Sequence, residues 1–415
     1  MVTLSSAENA LKTVYLGVVA NQLNVNANPL LSQIKQTTSD VCGKEIKKLA
    51  PYGINGGIGA GTETGDLPIA GGNNYVTFTT TLKNLYGKIE ISDKAIRASQ
   101  NNSGAFVNLL NDEMEGLIKA STFNLGRMLF GDGTGLICNC TNDVLSDNKT
   151  VPVDDTRRVI EGMIVDAYVA DTLCGTFRVK AVDRPRNRVT FFEDVSETLC
   201  EGYTLYVQGS KDNEINGIES LFSSEDMLYG LSRTEYKWLK PFIKTDAGEI
   251  SDSMIQEAID FLEENSGSEI NYISCSGDVR RAYQEYLGMY RRNIDVTTLA
   301  GGFKAITYNG IPVVYDRFVE NGTLYLLNTK DFNLHQLCDW RWLEGEDGRV
   351  LHQNYNKATY SATLVKYADL ICDRPNGQAK ITGISTTISK PLTEIVTTLK
   401  TNSGYLSQIA TNSAN

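Results

Sequence analysis

The sequence predicts an α+β fold, and three stretches carry that expectation. Phe106, Leu109, Leu110, Met114, Leu117, Ile118, Ser121, Leu125, Met128 and Leu129 recur at three- and four-residue intervals, so Ser103 to Phe130 reads as one long helix with a single apolar stripe. Between Asp154 and Gly209 the pattern turns wholly to strands, and after Ser210 helices and strands alternate. A helical rod about 40 Å long must lie along something else. It is read as the backbone of an elongated subunit.

Taken in order, the chain begins with Ala7, Leu11, Val14, Tyr15, Val18 and Val19 on a helical face, followed by Asn24-Val25-Asn26-Ala27-Asn28-Pro29. This predicts a short amphipathic helix on an extended arm. From Ala50 to Asn74 the glycines Gly53, Gly56, Gly57, Gly59, Gly61, Gly65, Gly71 and Gly72 crowd a stretch with little to bury, and the alternating run Tyr75 to Leu82 follows. The pattern predicts a long projecting hairpin. An isolated two-stranded hairpin is marginal in water, so this one is expected to be held by another molecule. Tyr86 to Ser92 is a further strand and leads to the long helix. Ser103 suits the N-cap, and Gly131-Asp132-Gly133-Thr134-Gly135 ends the helix, because glycine adopts the left-handed and turn conformations that a Cβ resists.

Strands are expected at 162–168, 176–182, 188–192 and 203–207, with Asp183 to Asn187 as the clearest turn, which suggests a small β-barrel folded as its own unit. Beyond it come a helix from near Ser251 carrying Ile255, Ala258, Ile259 and Leu262, a strand at 270–274, and a helix at 278–291. Further strands are expected at 305–308, 311–315, 323–327 and 358–367. The segment from Ser385 to Asn415 is rich in Ser, Thr and Asn and receives no role.

The totals narrow the function. At 415 residues, 41% of them apolar and 21% charged, the chain is long enough for two or three domains and ordinary in composition. A net charge of -11 argues against a nucleic-acid reader with a basic face, although not against a protein that encloses a polyanion. No signal peptide and no membrane-spanning apolar run is legible, so a soluble protein made in a cytoplasm is expected. The eight cysteines are spread out, and most should be free, half-buried thiols. Cys138 and Cys140 form the one close pair, and with only His335 and His352 in the chain no metal site is expected there.

The candidate chemistry is thin. Gly57-Ile58-Gly59-Ala60-Gly61 lacks the preceding strand and following helix of a phosphate cradle. Ser274-Cys275-Ser276-Gly277 sits between a strand and a helix but lacks the first glycine of a nucleophile elbow, and Ser276 is expected to cap the helix after it. Glu344, Glu346 and Asp347 read as a solvated loop rather than a calcium site. No stretch assembles a nucleophile, a base and an orienting group. The residues point to a structural protein, not an enzyme, with no catalytic residue, cofactor or metal.

The order of elements, with Gly61-Thr62-Glu63-Thr64-Gly65-Asp66-Leu67-Pro68, Ile89-Glu90-Ile91-Ser92, the Gly131 to Gly135 helix end and Asn216-Gly217-Ile218, resembles the major capsid proteins of tailed phages with the Hong Kong 97 (HK97-like) capsid fold. The resemblance spans roughly residues 5 to 385 and implies a division of the chain: N-terminal arm 1–48, extended loop (E-loop) 49–85, peripheral domain with spine helix 86–137, inserted β-barrel 138–214, axial domain 215–350, return strands 351–385 and C-terminal tail 386–415. It also implies that Gly57, Gly59, Gly61, Thr62, Glu63, Leu67 and Pro68 form an inter-subunit assembly loop, and that Gly131, Asp132, Gly133, Thr134 and Gly135 form the spine-helix end turn.

As partners, the resemblance implies copies of the same chain as pentamers and hexamers in an icosahedral shell, a separate scaffold protein, a portal protein at one vertex, and enclosed double-stranded DNA without sequence-specific binding. No membrane partner is implied, and the location is the virion after assembly in a bacterial cytoplasm. The loop from Leu49 to Leu82 has no lysine, so the covalent loop link made by some relatives cannot start there. Two alternatives remain at this point: an encapsulin-like nanocompartment shell, and an enzyme with a glycine-loop nucleotide site.

Overall fold

The computed structural model describes residues 28–94, 103–195, 199, 201–290, 296–298, 304–346 and 348–385. The expected arm helix at 7–23 and the tail at 386–415 lie outside the described residues.

The long helix runs Ser103–Leu129. Its apolar stripe buries Met114, Ile118, Leu125, Met128 and Leu129, and the helix lies on strand Lys83–Ser92, whose Leu85, Ile89 and Ile91 face the same core. Gly87 makes the approach possible, because a Cβ there would stand 2.9 Å from Leu117. Strand 83–92 pairs antiparallel along its length with Thr359–Cys372, which also pairs with Phe332–Trp342. Lys35–Thr37 adds to the far edge in parallel.

Strand 332–342 was not legible in the sequence, and the physical reason is visible in its pairing. Its register slips between Gln336 and Cys338 and again between Cys338 and Arg341, so apolar and polar residues do not alternate along it. The strand expected at 358–367 in fact continues to Cys372.

Residues 136–207 form one six-stranded sheet in the order Leu136–Asn139, Thr204–Val207, Ile164–Val169, Thr172–Asp183, Arg188–Phe191, Thr150–Pro152. A bridge between Cys140 and Val153 joins its first and last strands. Val151, Val165, Ala167, Val179, Val189, Phe191 and Leu205 make a core separate from that of the long helix. The strands at 136–139 and 150–152 escaped sequence reading, being too short for a period to show. The expected turn is present, with Asn187 at a φ of 49°.

The last part holds a seven-stranded sheet in the order Phe242–Lys244, Ala379–Ile381, Leu324–Leu327, Tyr272–Cys275, Ile311–Tyr315, Lys304–Tyr308, Val296–Thr298. Helices Asp252–Ser266 and Gly277–Tyr290 pack on it through Ile255, Ala258, Leu262, Val279 and Tyr283. Ser251 caps the first of them, its hydroxyl accepting from Met254 N at 3.2 Å.

Two expectations need correction. Ser276 stands at the start of the second helix and its carbonyl accepts from Arg280 N, but its buried hydroxyl makes no capping bond. At 1% exposure the residue is enclosed, and its hydroxyl has no hydrogen-bond partner. The cysteines are also more buried than expected: Cys138, Cys140, Cys275 and Cys372 are fully enclosed and Cys42 alone is exposed among those described.

Candidate assembly site

The hairpin Glu45–Tyr52 and Asn74–Thr81 pairs from Glu45–Thr81 to its last rung at Tyr52–Asn74. Its root is built into the body. Ile46 and Phe78 are buried, Tyr52 stacks on Trp238 with ring centroids 6.0 Å apart, and Lys48 Nζ donates to Asp373 at 2.7 Å.

Beyond the last rung the chain leaves that support. Gly59, Gly61, Thr62, Glu63, Leu67 and Pro68 are all exposed and Gly57 is half-buried. The loop's large apolar residues stand in solvent, Ile54 84%, Ile58 84%, Leu67 89% and Ile69 91% exposed. Four such residues within one loop leave large apolar side chains in water that their own subunit does not cover. The glycines at the neck have a steric reason: a Cβ on Gly71 would stand 2.6 Å from the backbone nitrogens of Gly56 and Gly57. Nearer the tip, Gly65 N donates to Thr62 O at 3.2 Å, closing a small turn around Glu63.

The helix-end turn lies where the chain leaves the long helix and returns from the six-stranded sheet. Gly133 and Gly135 have φ of 91° and 81°, and Asp132 Oδ1 accepts from Thr134 N at 3.0 Å and from its hydroxyl at 2.6 Å. Gly131 N donates to Met128 O at 3.0 Å, and the last helical carbonyls then face the returning chain. A Cβ on Gly217 would stand 2.2 Å from Met128 O, and one on Gly135 would stand 2.5 Å from Ser210 O, so both positions admit only glycine. Arg158 Nη2 reaches Phe130 O at 3.4 Å, setting a cation at the negative end of the helix.

Hairpin root and helix end are joined by a buried polar node that sequence reading missed. Asp369 accepts four hydrogen bonds, from Thr80 Oγ1 (2.7 Å), Asn216 N (2.8 Å), Asn216 Nδ2 (2.7 Å) and Leu370 N (3.0 Å). Burial pushes its carboxyl above the usual carboxylate range, while the Thr80 and Asn216 bonds hold it down. Arg127 and Glu214 are paired beside the same turn at 1% and 3% side-chain exposure. The signal that could have found the node is a charge inside an apolar run, as Asp369 is between Ala368 and Leu370-Ile371. Among the described residues no group of three His, Cys, Asp or Glu is placed to hold a metal ion, and Asp347 of the carboxylate loop lies outside them.

No family model and no curated protein matches the sequence. Among solved structures, the chain is similar to the cyanophage A-1(L) capsid, with a TM-score of 0.51 at 12% identity over 88% of this chain and 92% of that one. A native gene-transfer-agent (GTA) particle capsid follows with a TM-score of 0.43 at 12% identity over 86% and 90% of the two chains. The SrpI encapsulin of Synechococcus elongatus has a TM-score of 0.39 at 11% identity over 77% and 80%. Likenesses at the two lower scores support no argument. The cyanophage match covers most of both chains. The chain has the fold of tailed-phage capsid subunits, the HK97-like capsid fold.

Proposed function

We propose that the chain is a major capsid protein, self-assembling through pentamers and hexamers into the icosahedral head of a tailed double-stranded DNA phage. The observation that carries this reading is the loop at 54–71: on a capsid fold, a rooted hairpin ends in four solvent-exposed apolar residues. Covering that surface with a neighbouring copy would remove it from water, and closure under symmetry would multiply each modest contact. The loop would act as the inter-subunit element and the turn at 131–135 as the fixed end of the spine.

The division into arm, loop, peripheral, inserted, axial and return segments is part of the same proposal. A scaffold protein, a portal and packaged DNA would be its partners, the acidic balance keeping DNA from adhering to the wall. The role is structural, and the place is the virion. Among the described residues no helix is long and apolar enough to cross a membrane.

Light scattering on the purified chain tests the reading. Assemblies of many subunits, with or without a scaffold, are expected. A monomer that stays monomeric at high concentration and binds nucleotide saturably would return the chain to the enzyme class. Shells that carry protein cargo and are encoded away from terminase, portal and protease genes would assign it to the nanocompartments instead.

A further inference from the structure

Phe192 follows strand Arg188–Phe191 of the six-stranded sheet; Phe191 is buried in the core, and Phe192 stands 50% exposed on the opposite side. The side chains around it are basic. The Arg178 guanidinium lies over its ring at 5.6 Å, and Lys149 Nζ donates to its carbonyl at 3.1 Å. Lys180 is exposed two residues beyond Arg178, and Ile164, exposed as well, is the cross-strand partner of Arg178. The acids beside this knob are Glu193, whose Oε2 accepts from Arg178 N at 3.1 Å, and Asp194.

A groove of the opposite character lies on the seven-stranded part. Phe261 of helix Asp252–Ser266 packs on Phe242, in the edge strand Phe242–Lys244, with ring centroids 4.5 Å apart, and is still 42% exposed. Glu257, Asp260 and Glu264, spaced three and four residues apart, share one face of that helix and border a groove of about 440 Å³ with the two rings. Lys244 Nζ donates to Glu257 at 2.7 Å, and Gln256 Nε2 donates to Asp260 Oδ1 at 2.6 Å. The helix carries five acidic residues and no basic one, so Lys244 offsets only part of the negative charge over the groove.

We propose that Phe192 of one copy seats in the Phe242 and Phe261 groove of the next copy, with Lys149, Arg178 and Lys180 facing Glu257, Asp260 and Glu264; this rests on reading the chain as a shell subunit. Both faces are exposed in the single chain, so neither covers the other. An aromatic knob rimmed by cations fits an aromatic floor rimmed by carboxylates, and opposite charge fixes which face meets which. Either face set against itself would bring like charges together. Because the two faces differ, the contact runs head to tail, and head-to-tail contacts close into rings, as pentamers and hexamers require.

Light scattering over a concentration series of the full-length chain tests the contact. Reversing one face, by Arg178→Glu with Lys180→Glu or by Asp260→Lys with Glu264→Lys, sets like charges at every contact. Either pair should raise the concentration for half-assembly at least about tenfold, and all four changes in one chain should bring it back to within about threefold of wild type. Reversals that assemble like wild type, or no recovery in the combined chain, would overturn the proposal and leave the shell reading standing. A wild-type chain that stays solitary would instead overturn the shell reading, and the contact with it. Reversals that lower the melting temperature of the lone subunit without changing assembly would give the groove to residues 386–415 of the same chain, against the proposal. Should the reversed chains fail to fold, oxidation of a chain carrying both Phe192→Cys and Phe261→Cys decides: a ladder of linked copies beyond that of either single variant supports the contact, and its absence ends it.

Discussion

Arg127, in the last turn of the long helix, and Glu214, where the chain returns from the six-stranded sheet, form a two-point ion pair from which water is excluded: Nη1 donates to Oε2 at 2.9 Å and Nη2 to Oε1. Two stretches separated in sequence by the whole six-stranded sheet are thereby fixed to one another. Removing either partner leaves an uncompensated buried charge, so Glu214→Gln and Arg127→Met should each cost about 3–5 kcal/mol of stability. Replacing both with apolar residues should recover much of that loss. Urea unfolding of the single and double variants checks it, and single variants as stable as wild type would contradict it.

Thr80 ties the hairpin to Asp369 through one hydroxyl. In Thr80→Val the buried carboxylate loses a donor it cannot replace, which should cost about 1–3 kcal/mol and speed hydrogen exchange across strands 45–52 and 74–81. Ser in the same place should restore the bond and most of the protection. An unaltered exchange pattern in Thr80→Val would show that the node does not set the hairpin.

Gly217 and Gly61 make a contrasting pair. Gly217→Ala would drive a methyl group into the carbonyls of Met128, Gly131 and Leu129, at 2.2, 2.5 and 2.8 Å, whereas the nearest atom to a Cβ on Gly61 is 3.8 Å away. Loss of at least about 3 kcal/mol is expected at Gly217 and almost none at Gly61. Comparable thermal midpoints for the two variants would refute the steric account of the helix end.

The six-stranded unit should fold alone, but only from a fragment that includes strand Leu136–Asn139. Residues 145–210 lack that strand, its pairing with 204–207, and Ile137, Cys138 and Cys140 of the core. Residues 135–212 are therefore expected to give a β-type circular dichroism spectrum and a cooperative melt, with 145–210 less ordered. A random-coil spectrum from the longer fragment would rule out an independent unit.

What could be read from the sequence was whatever rests on periodicity and turn chemistry. The stripe from Met114 to Leu129, the stop at Gly131 to Gly135 and the coreless glycine loop each announce themselves within one window of residues. Strand 332–342 did not, because bulges break its alternation, and Ser276 sat at the right place for a cap that its buried hydroxyl does not make. Asp369 stands out in the sequence as a charge in an apolar run, but its partners Thr80 and Asn216 do not. The members of this node lie far apart in sequence, with Asn216 and Asp369 153 residues apart, and only the fold brings them together.

Negative-stain electron microscopy of the purified full-length chain beside a variant lacking residues 56–72 tests the central claim most directly. None of residues 56–72 is buried and all but Gly57 and Gly71 are exposed, so the deletion should leave a folded chain with an unchanged melting profile. Closed shells are predicted from the full-length protein and none from the deletion variant. Normal shells from the deletion variant, or solitary full-length subunits at high concentration with scaffold supplied, would contradict the account.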